Sequence, residues 1–554
     1  MAHVPLAHRV LYNTDLLHAV FSQLAHPPCL ASPPRERENA PGERELTLAR
    51  VARVCKSFKD PALRVLWASL PTLFPLWSLL VPFKVVGEHL DAPPEHSYKY
   101  TLTEQPSPEN WARFLQYAAR VRQVRYDEHT VTRVDPSVWV YITRFLRGAV
   151  LLPRLHSLGW AISSPYDTTL LTVLSPSLRK LQLFFFFDSA KWGPLLRQQS
   201  SLDLLVRSVC AEAPELRELQ LTELVFPQTL RTMATRLPHL RRLDLHGCID
   251  LIDASTLRAL ASMHMLEVLD NVPLQFPEDT RLDFAGFPAL KQLSVSGGAR
   301  DTALVLTTLT APLVSFKIRS IQVPSLWNAA LEQMKSKLAT VKSLAFDIEV
   351  LEGSPSEPNE VWSPTDFLKP LLSQPLGSVD DLRIAFTYAT LKLDDAELEA
   401  LAKTGPQLVH LTIDAIEIHE QRLPTVLSLV ACARHCPRLQ TLVLPLYADP
   451  DEVFPPLPSP LPVHRALRRL CPNSMCAFDA HDPDRLGALL AELFPNLDGR
   501  ASLEPPRGLH HPEGDPSEPE PQQDPCRVNL EVWNAGKELW EDVLEAAAEA
   551  RGLL

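Results

Sequence analysis

Glycine is scarce in this chain, with 18 glycines among 554 residues. Phosphate-binding loops need clustered glycines and collagen needs one at every third position, so both classes are disfavoured. Basic residues are also outnumbered: 54 Lys and Arg stand against 66 Asp and Glu, a formal net charge of −12. A general nucleic-acid binder needs the opposite balance in order to neutralise phosphates, so we expect no nucleic-acid partner.

The nine cysteines are an odd number and show no disulfide framework, which indicates a reducing compartment, cytoplasm or nucleus. No apolar run of the secretory type stands near the start. Residues 65–83 carry no charge and are long enough to span a bilayer. Pro71, Pro75 and Pro82 interrupt them, and each breaks helical continuity. We therefore expect a buried segment and no membrane partner.

Leucine and proline are abundant instead, and they form a repeat. The motif Pro-x-Leu-x-x-Leu-x-Leu, with Ile or Val allowed last, starts at residues 176, 214, 238, 288, 406 and 437. Weaker copies fill the intervals, and the spacing of 23 to 38 residues is typical of leucine-rich repeats. Its last two apolar residues share one face of a short strand, and amphipathic helical patterns lie between strands. The pattern predicts an α/β solenoid with a parallel sheet and helices outside.

The N-terminal part carries three amphipathic helical patterns. In the first, Leu17, Val20, Phe21 and Leu24 share a face, and Asn13 or Thr14 serves as N-cap. In the second pattern, the apolar face includes Leu48, Val54 and Cys55. We therefore expect Cys55 to be a packed core cysteine rather than a reactive thiol.

This N-terminal segment resembles an F-box. The run TLARVARVCKSFKDPALRVLWASLPTL, the run NWARFLQYAARVRQV at 110–124 and the ending LLAELFPNLDG at 489–499 are similar to fungal F-box proteins with leucine-rich repeats. The resemblance implies a ribonuclease-inhibitor-like solenoid and the substrate-recognition subunit of an SCF-type ubiquitin ligase, without catalysis or cofactor of its own. The implied contacts with the Skp adaptor of the cullin-based ligase come from Asp15, Leu17, Val20, Leu24, Leu48, Val54 and Trp67.

The expected domains follow the same reading. An F-box-like helical domain covers 9–80 with a disordered insertion at 27–45, and a linker covers 81–109. The solenoid covers 110–500, a disordered Pro- and acid-rich segment 501–527, and a C-terminal helix 528–552. We expect this helix to fold back as a cap, with a free recognition helix as the alternative.

An unknown target protein is expected on the concave sheet face. The exposed strand positions predicted there are Glu218, Gln220, Arg242, Asp244, His246, Gln292, Ser294, Lys317, Arg319, Asp347, Arg383, His410 and Asp414. Both charge signs are mixed, so no single-sign ligand is implied. An alternative hypothesis is a scaffold or ligand-binding solenoid in which the F-box helices serve only as an N-terminal cap.

Signals of catalysis are weak. Phosphate-loop, dinucleotide, zinc-protease and hydrolase-elbow motifs are all missing from the sequence, which disfavours an enzyme. Cys432 and Cys436 fall on an amphipathic helix and are expected to be buried rather than to bind zinc. The acids from Asp394 to Glu399 are expected to occupy the first turn of a helix rather than to form an acid/base pair.

Three further segments were considered as contact sites for partner proteins. Alternation along a strand buries Phe185 and Phe187 and leaves Phe184 and Phe186 as a possible partner contact. The run PPLPSPLP at 455–462 is expected to be an exposed loop, with docking to an SH3-like domain as the alternative. The basic cluster from His464 to Arg469 is expected to be a solvated helix face.

Overall fold

A computed structural model describes residues 13–25, 43–80, 83–85, 100–125, 134–162, 167–185, 195–222, 226–247, 252–320, 326–349, 361–372, 377–418, 424–445, 457, 459–472, 483–503 and 540–551. The chain divides into two compact units, Met1–Asp250 and Leu251–Leu554, called here the first and second units. Most of the predicted insertion at 27–45 and of the Pro- and acid-rich segment at 501–527 lies outside the described residues, as do Phe186 and Phe187.

The first unit begins with a helical head of three helices, α1 (Thr14–Ala25), α2 (Glu43–Val51) and α3 (Lys56–Leu66). Its core consists of Leu17, Phe21, Leu48, Ala62 and Val65. The Asn13 side chain caps α1, since its Oδ1 accepts the backbone N–H groups of residues 15 and 16 at 3.0 and 3.1 Å. The predicted cap and the inward position of Leu17 and Leu48 are thus confirmed.

The uncharged segment at 65–83 is broken into short pieces and largely buried. It contains the end of α3, β1 (Ser69–Leu70), α4 (Phe74–Trp77) and the start of β2 (Phe83–Val85). Leu73, Leu76 and Trp77 are fully enclosed. No helix within the described ranges combines the length and apolarity that a bilayer crossing requires.

In the rest of the first unit, short strands alternate with helices. The elements are β3 (Tyr100–Leu102), α5 (Pro108–Ala118), β4 (Gln123–Val124), α6 (Pro136–Leu146), β5 (Ser157–Ile162), α7 (Leu170–Val173), β6 (Lys180–Phe185), α8 (Leu195–Glu212), β7 (Glu218–Thr222), α9 (Pro227–Arg236) and β8 (Arg242–Asp244). Strand β1 pairs with β4, and β4 to β8 pair in chain order, all in parallel. Strands β2 and β3 form an antiparallel pair.

The second unit continues the same alternation. Its elements are α10 (Ala254–Ala261), β9 (Val268–Leu274), β10 (Gln292–Gly297), α11 (Ala299–Thr308), β11 (Ser315–Ser320), α12 (Trp327–Leu338), β12 (Ser343–Glu349), β13 (Val361–Trp362), α13 (Pro364–Leu372), β14 (Asp381–Leu391), α14 (Asp395–Thr404), β15 (His410–Ile418), α15 (Val426–His435), β16 (Thr441–Leu444), β17 (Arg469–Pro472), α16 (Pro483–Leu493), α17 (Gly499–Ser502) and α18 over 540–550. The strands pair in parallel in the order β9, β10, β11, β12, β14, β15, β16, β17, and β13 flanks β14. Consecutive helices from α11 to α15 contact each other.

The repeat motif explains this alternation. In the copy at 214–221, Pro214 lies in the turn after α8, and Leu216, Leu219 and Leu221 are buried. Each enclosed leucine contributes roughly 1.5–3 kcal/mol to folding. Parallel pairing of successive strands lines these leucines up into a shared core, so the predicted α/β fold with parallel strands is confirmed.

Helix α18 packs against α16 at the end of the second unit. Gly487 marks the closest approach: a Cβ placed there would lie 2.6 Å from the Cβ of Ala546 and 2.7 Å from the backbone nitrogen of Ala547. Directly after α18, Arg551 Nη1 donates to the Leu497 carbonyl at 2.7 Å. The helix therefore covers the last repeat, as a terminal cap does.

Two local expectations are wrong. Cys55 is exposed, because α2 ends at Val51 and Cys55 becomes the N-cap position of α3. His464 lies in a loop rather than on a solvated helix face, and it is buried. Its Nδ1 accepts the Leu467 N–H at 3.2 Å and its Nε2 donates to the Cys436 carbonyl at 2.8 Å.

Candidate interaction surfaces

The helical head presents apolar side chains to solvent. Leu16, Val20 and Leu24 on α1 are 46%, 53% and 41% exposed. They are spaced four residues apart, so they form one stripe along the helix. We call them the α1 stripe. Leu17 and Phe21, one position later in the chain, are buried in the head core. The helix therefore has two apolar faces, only one of which the fold covers.

The predicted adaptor residues divide between these two environments. Val20 and Leu24 belong to the α1 stripe, and Asp15 is exposed in the first turn of α1. Leu17 and Leu48 are core residues that hold the helices in place. The sequence pattern assigned Leu17, Val20, Phe21 and Leu24 to a single face of α1. It did not identify Leu16 as a candidate contact residue.

The helical pattern predicted Val54 on a buried face. In the structure Val54 lies in the turn after α2 and is 66% exposed. The helix stops before the position at which periodicity would bring Val54 inward. Leu46 on α2 is exposed as well. The head therefore carries uncovered apolar groups on or beside two of its helices.

Trp67, at the C-cap of α3, makes an internal contact. Its ring lies 4.5 Å from that of Tyr117 on α5, centroid to centroid. The Arg120 guanidinium stands over the Tyr117 ring at 5.3 Å and donates to Asp60 Oδ1 at 2.8 Å. Trp67 is half-buried in this cluster, so it joins the head to α5 and positions α3.

The predicted polar positions of the first unit lie on the outward side of its strands. In β7, Glu218 and Gln220 alternate with buried leucines. Glu218 pairs with Lys180 at 3.5 Å, and Gln220 accepts a hydrogen bond from Gln182 at 2.6 Å. The side chains of neighbouring strands thus form polar ladders. The other predicted positions here are half-buried Asp244 and exposed Arg242 and His246.

In the second unit, charged side chains of both signs meet on the outward side of β11, β12 and β14. Arg319 Nε lies 3.3 Å from Asp347 Oδ2. Lys317 and Arg383 flank Ala345 in the strand register. Burial lowers the pKa of Lys317, and the nearby Arg319 and Arg383 lower it further, against the opposing effect of Asp347. Lys317, Arg319 and Arg383 are therefore close enough to influence one another, and Asp347 and Asp270 oppose their charge.

Ser294 was predicted to be exposed on the sheet face, but in the structure it is buried. The register between β9 and β10 shifts between Leu293 and Val295. Asn271, with a φ of 56°, forms the irregularity in β9 opposite this point. On its other side, Ser294 is paired with Lys317. The short serine side chain is enclosed between these longer neighbours.

The remaining predicted positions of the second unit lie outward. Gln292 and His410 are exposed and Asp414 is half-buried. Gln292 and His410 belong to one register row that crosses β10, β11, β12, β14 and β15. Apart from Ser294, the structure places the predicted strand positions of each unit on that unit's polar sheet face.

The cysteine and acid clusters are structural. Cys432 on α15 and Cys436 at its C-cap are both buried. Burial raises the pKa of both thiols, that of Cys436 to about 12. Asp394 caps α14, accepting the Glu397 N–H at 2.9 Å, as predicted. Asp395 instead accepts hydrogen bonds from the N-terminus of α15. Among the residues that the structure covers, no group of three or more His, Cys, Asp or Glu is arranged to hold a metal ion.

Of the aromatic run, Phe185 is buried and Phe184 half-buried, which confirms the predicted alternation at these two positions. Ser459 and Pro460 of the proline-rich run are exposed. The comparison with protein-family models and the search of curated proteins gave no match for this chain.

Proposed function

We propose that the protein is the substrate-recognition subunit of an SCF-type ubiquitin ligase. The helical head would bind a Skp adaptor, and the polar strand faces would hold a target protein. The observation that carries the proposal is the α1 stripe: an apolar face left uncovered on a helix whose opposite face is packed. Apolar surface of this kind is costly in water and marks an interaction site.

The mechanism is burial without chemistry by this chain. Adaptor helices would cover the α1 stripe together with Leu46 and Val54, while Leu17 and Leu48 keep the head rigid. Each large side chain removed from water contributes about 1.5–3 kcal/mol. Ubiquitin transfer would belong to partner enzymes. The target's position would be set by the repeats, which follow the head in the chain.

Co-purification of the full chain with a Skp adaptor tests this proposal. Val20→Asp with Leu24→Asp places charges on the stripe without touching the head core, and should abolish adaptor binding. Leu17→Asp is unsuitable, because Leu17 is buried and its replacement would unfold the head. The matched control is Val140→Asp with Leu204→Asp, two exposed apolar residues of α6 and α8. The control should retain the adaptor; equal binding by all three chains would overturn the proposal.

The alternative is a scaffold in which the head serves as an N-terminal cap. The Asp60–Arg120 and Trp67–Tyr117 contacts favour it, because they tie α3 to α5. A cap does not require an uncovered apolar stripe, since a terminal repeat stays soluble through a polar outer face. Absence of adaptor from purifications of the unaltered chain would favour this alternative.

A further inference from the structure

A row of basic residues lies at the N-terminal ends of successive strands in the first unit's sheet. The position immediately before each of the strands β4 to β8 is occupied by Arg122, His156, Arg179, Arg217 and Arg241. The backbone N–H of each of the last four donates to the carbonyl of the preceding one, at 2.7, 2.9, 2.8 and 2.7 Å. The five residues therefore stand side by side, one on each strand. We call them the basic row.

The next register position adds to this charge. It holds Lys180 and Arg242, and Glu218 is its only acid. Across the two adjoining rows, six of ten side chains are Lys or Arg. Arg122, Arg179 and Arg241 are exposed, and Arg217 is half-buried. Such a concentration is notable in a chain whose formal net charge is −12.

The fold does not require basic residues at this position. In the second unit the same backbone hydrogen-bond pattern connects the residues before successive strands. Those residues are Glu267, Lys291, Val314, Lys342, Asp380, Val409, Gln440 and Arg468, of which three are basic. Apolar, acidic and neutral side chains occur there as well, so the repeat geometry does not determine the residue type at this position. The arginines of the first unit are therefore a property of that surface.

We propose that the basic row is a docking surface for an extended acidic segment of a partner protein. Neighbouring strands lie about 4.8 Å apart, so the row spans about 19 Å. An extended peptide of about six residues has the same length. Guanidinium groups bind carboxylates in bidentate pairs, which suits arginine better than lysine. That the partner is the ubiquitination target rests on the proposed function.

A peptide fits this surface better than a single-stranded nucleic acid does. The two rows contain no Phe, Tyr or Trp on which bases would stack. The acidic character of the whole chain also repels a long polyanion, whereas a short acidic segment senses mainly the local cations because salt screens the rest.

The test is fluorescence anisotropy with the full chain and a labelled oligoglutamate peptide of about eight residues, at about 0.1 M salt. An oligoglutamine peptide and an oligothymidylate serve as comparison ligands. Oligoglutamate should bind more tightly than both. Arg179→Gln with Arg217→Gln should weaken its binding at least tenfold. Lys342→Gln with Arg468→Gln removes the same charge from the equivalent position of the second unit, and should change it less than about twofold.

Equal affinity for oligoglutamate and oligoglutamine would overturn the proposal. So would equal weakening by both double variants, since net charge alone would then account for binding. Tighter binding of oligothymidylate would assign the row to nucleic acid. Adaptor co-purification separates this proposal from the ligase function: peptide binding without adaptor overturns only the latter, and adaptor without peptide binding only the former.

Discussion

Asp394 and Asp395 are neighbours in one helical turn, yet the structure predicts very different energetic roles. Asp394 accepts one hydrogen bond, from the Glu397 N–H within its own helix. Asp395 accepts from Thr425 N at 2.8 Å, Thr425 Oγ1 at 2.7 Å and Ser428 N at 3.1 Å, and also from Ser428 Oγ. It therefore caps α15, the helix of the following repeat.

Asp395→Ala removes a charged acceptor and leaves donors at the start of α15 unpaired, with Ser428 fully buried. Hydrogen bonds to charged groups contribute about 1.5–3 kcal/mol, and an anion at a helix N-terminus adds up to about 1 kcal/mol. We expect a loss of about 3–5 kcal/mol in the free energy of unfolding. Asp394→Ala removes one cap, at about 1 kcal/mol.

Glu399→Ala is the surface control. Glu399 pairs with Lys403 at 2.8 Å, and this hydrogen bond and charge lower the pKa of Glu399. Exposed helix pairs contribute only about 0.3–0.5 kcal/mol. Because the folded-state pKa is lowered, this small contribution is present above the ordinary carboxyl pKa and disappears as the pH falls below it.

The assay is urea unfolding by circular dichroism, with the midpoint compared at unchanged slope. Hydrogen exchange then locates the effect. Asp395→Ala should increase exchange at the start of α15, and Asp394→Ala at the start of α14. Asp395→Asn keeps an acceptor oxygen and should fall between. If Asp394→Ala destabilises the protein as much as Asp395→Ala does, the assignment of Asp395 to the next repeat is refuted.

Two other predictions concern packing. Thr229→Val should raise the free energy of unfolding by about 1–2 kcal/mol, because the buried Thr229 hydroxyl has no hydrogen-bond partner among the described atoms. The same change at Thr222 should lower it by about 1 kcal/mol, since that hydroxyl donates to the Leu183 carbonyl at 3.1 Å; thermal unfolding that shifts both variants the same way would contradict the reasoning. Gly487→Ala should destabilise the full chain by about 1–2 kcal/mol, because overpacking against α18 exceeds the gain in helix propensity. In a chain ending at residue 527 it should instead stabilise, and a stabilised full chain would contradict the packing of α18 on α16.

The sequence predicted the repeats well because their signal is local. Leu216, Leu219 and Leu221 are close in the chain, and strand periodicity alone sends them to one face. The cap at Asp394 likewise depends on residues within one turn. The predictions failed where a helix boundary decided the outcome: α2 ends at Val51, so Val54 and Cys55 left the face that continued periodicity assigned them.

The candidate surfaces show the same division. Alternation placed Glu218 and Gln220 outward from the sequence pattern, but no local rule could reveal the shift between β9 and β10 that encloses Ser294. The pattern of α1 identified its apolar residues, yet it could not divide Leu17 from Val20, because that depends on which face α3 covers.

The order of apolar and proline residues was therefore sufficient for the alternation of strands and helices, since each unit of that pattern is a few residues long. Only the tertiary structure decided what surrounds each side chain. The alignment of Arg122, Arg179 and Arg217 depends on hydrogen bonds between strands tens of residues apart. The exposure of the α1 stripe depends on where two other helices pack. Both are long-range outcomes that no window of sequence contains.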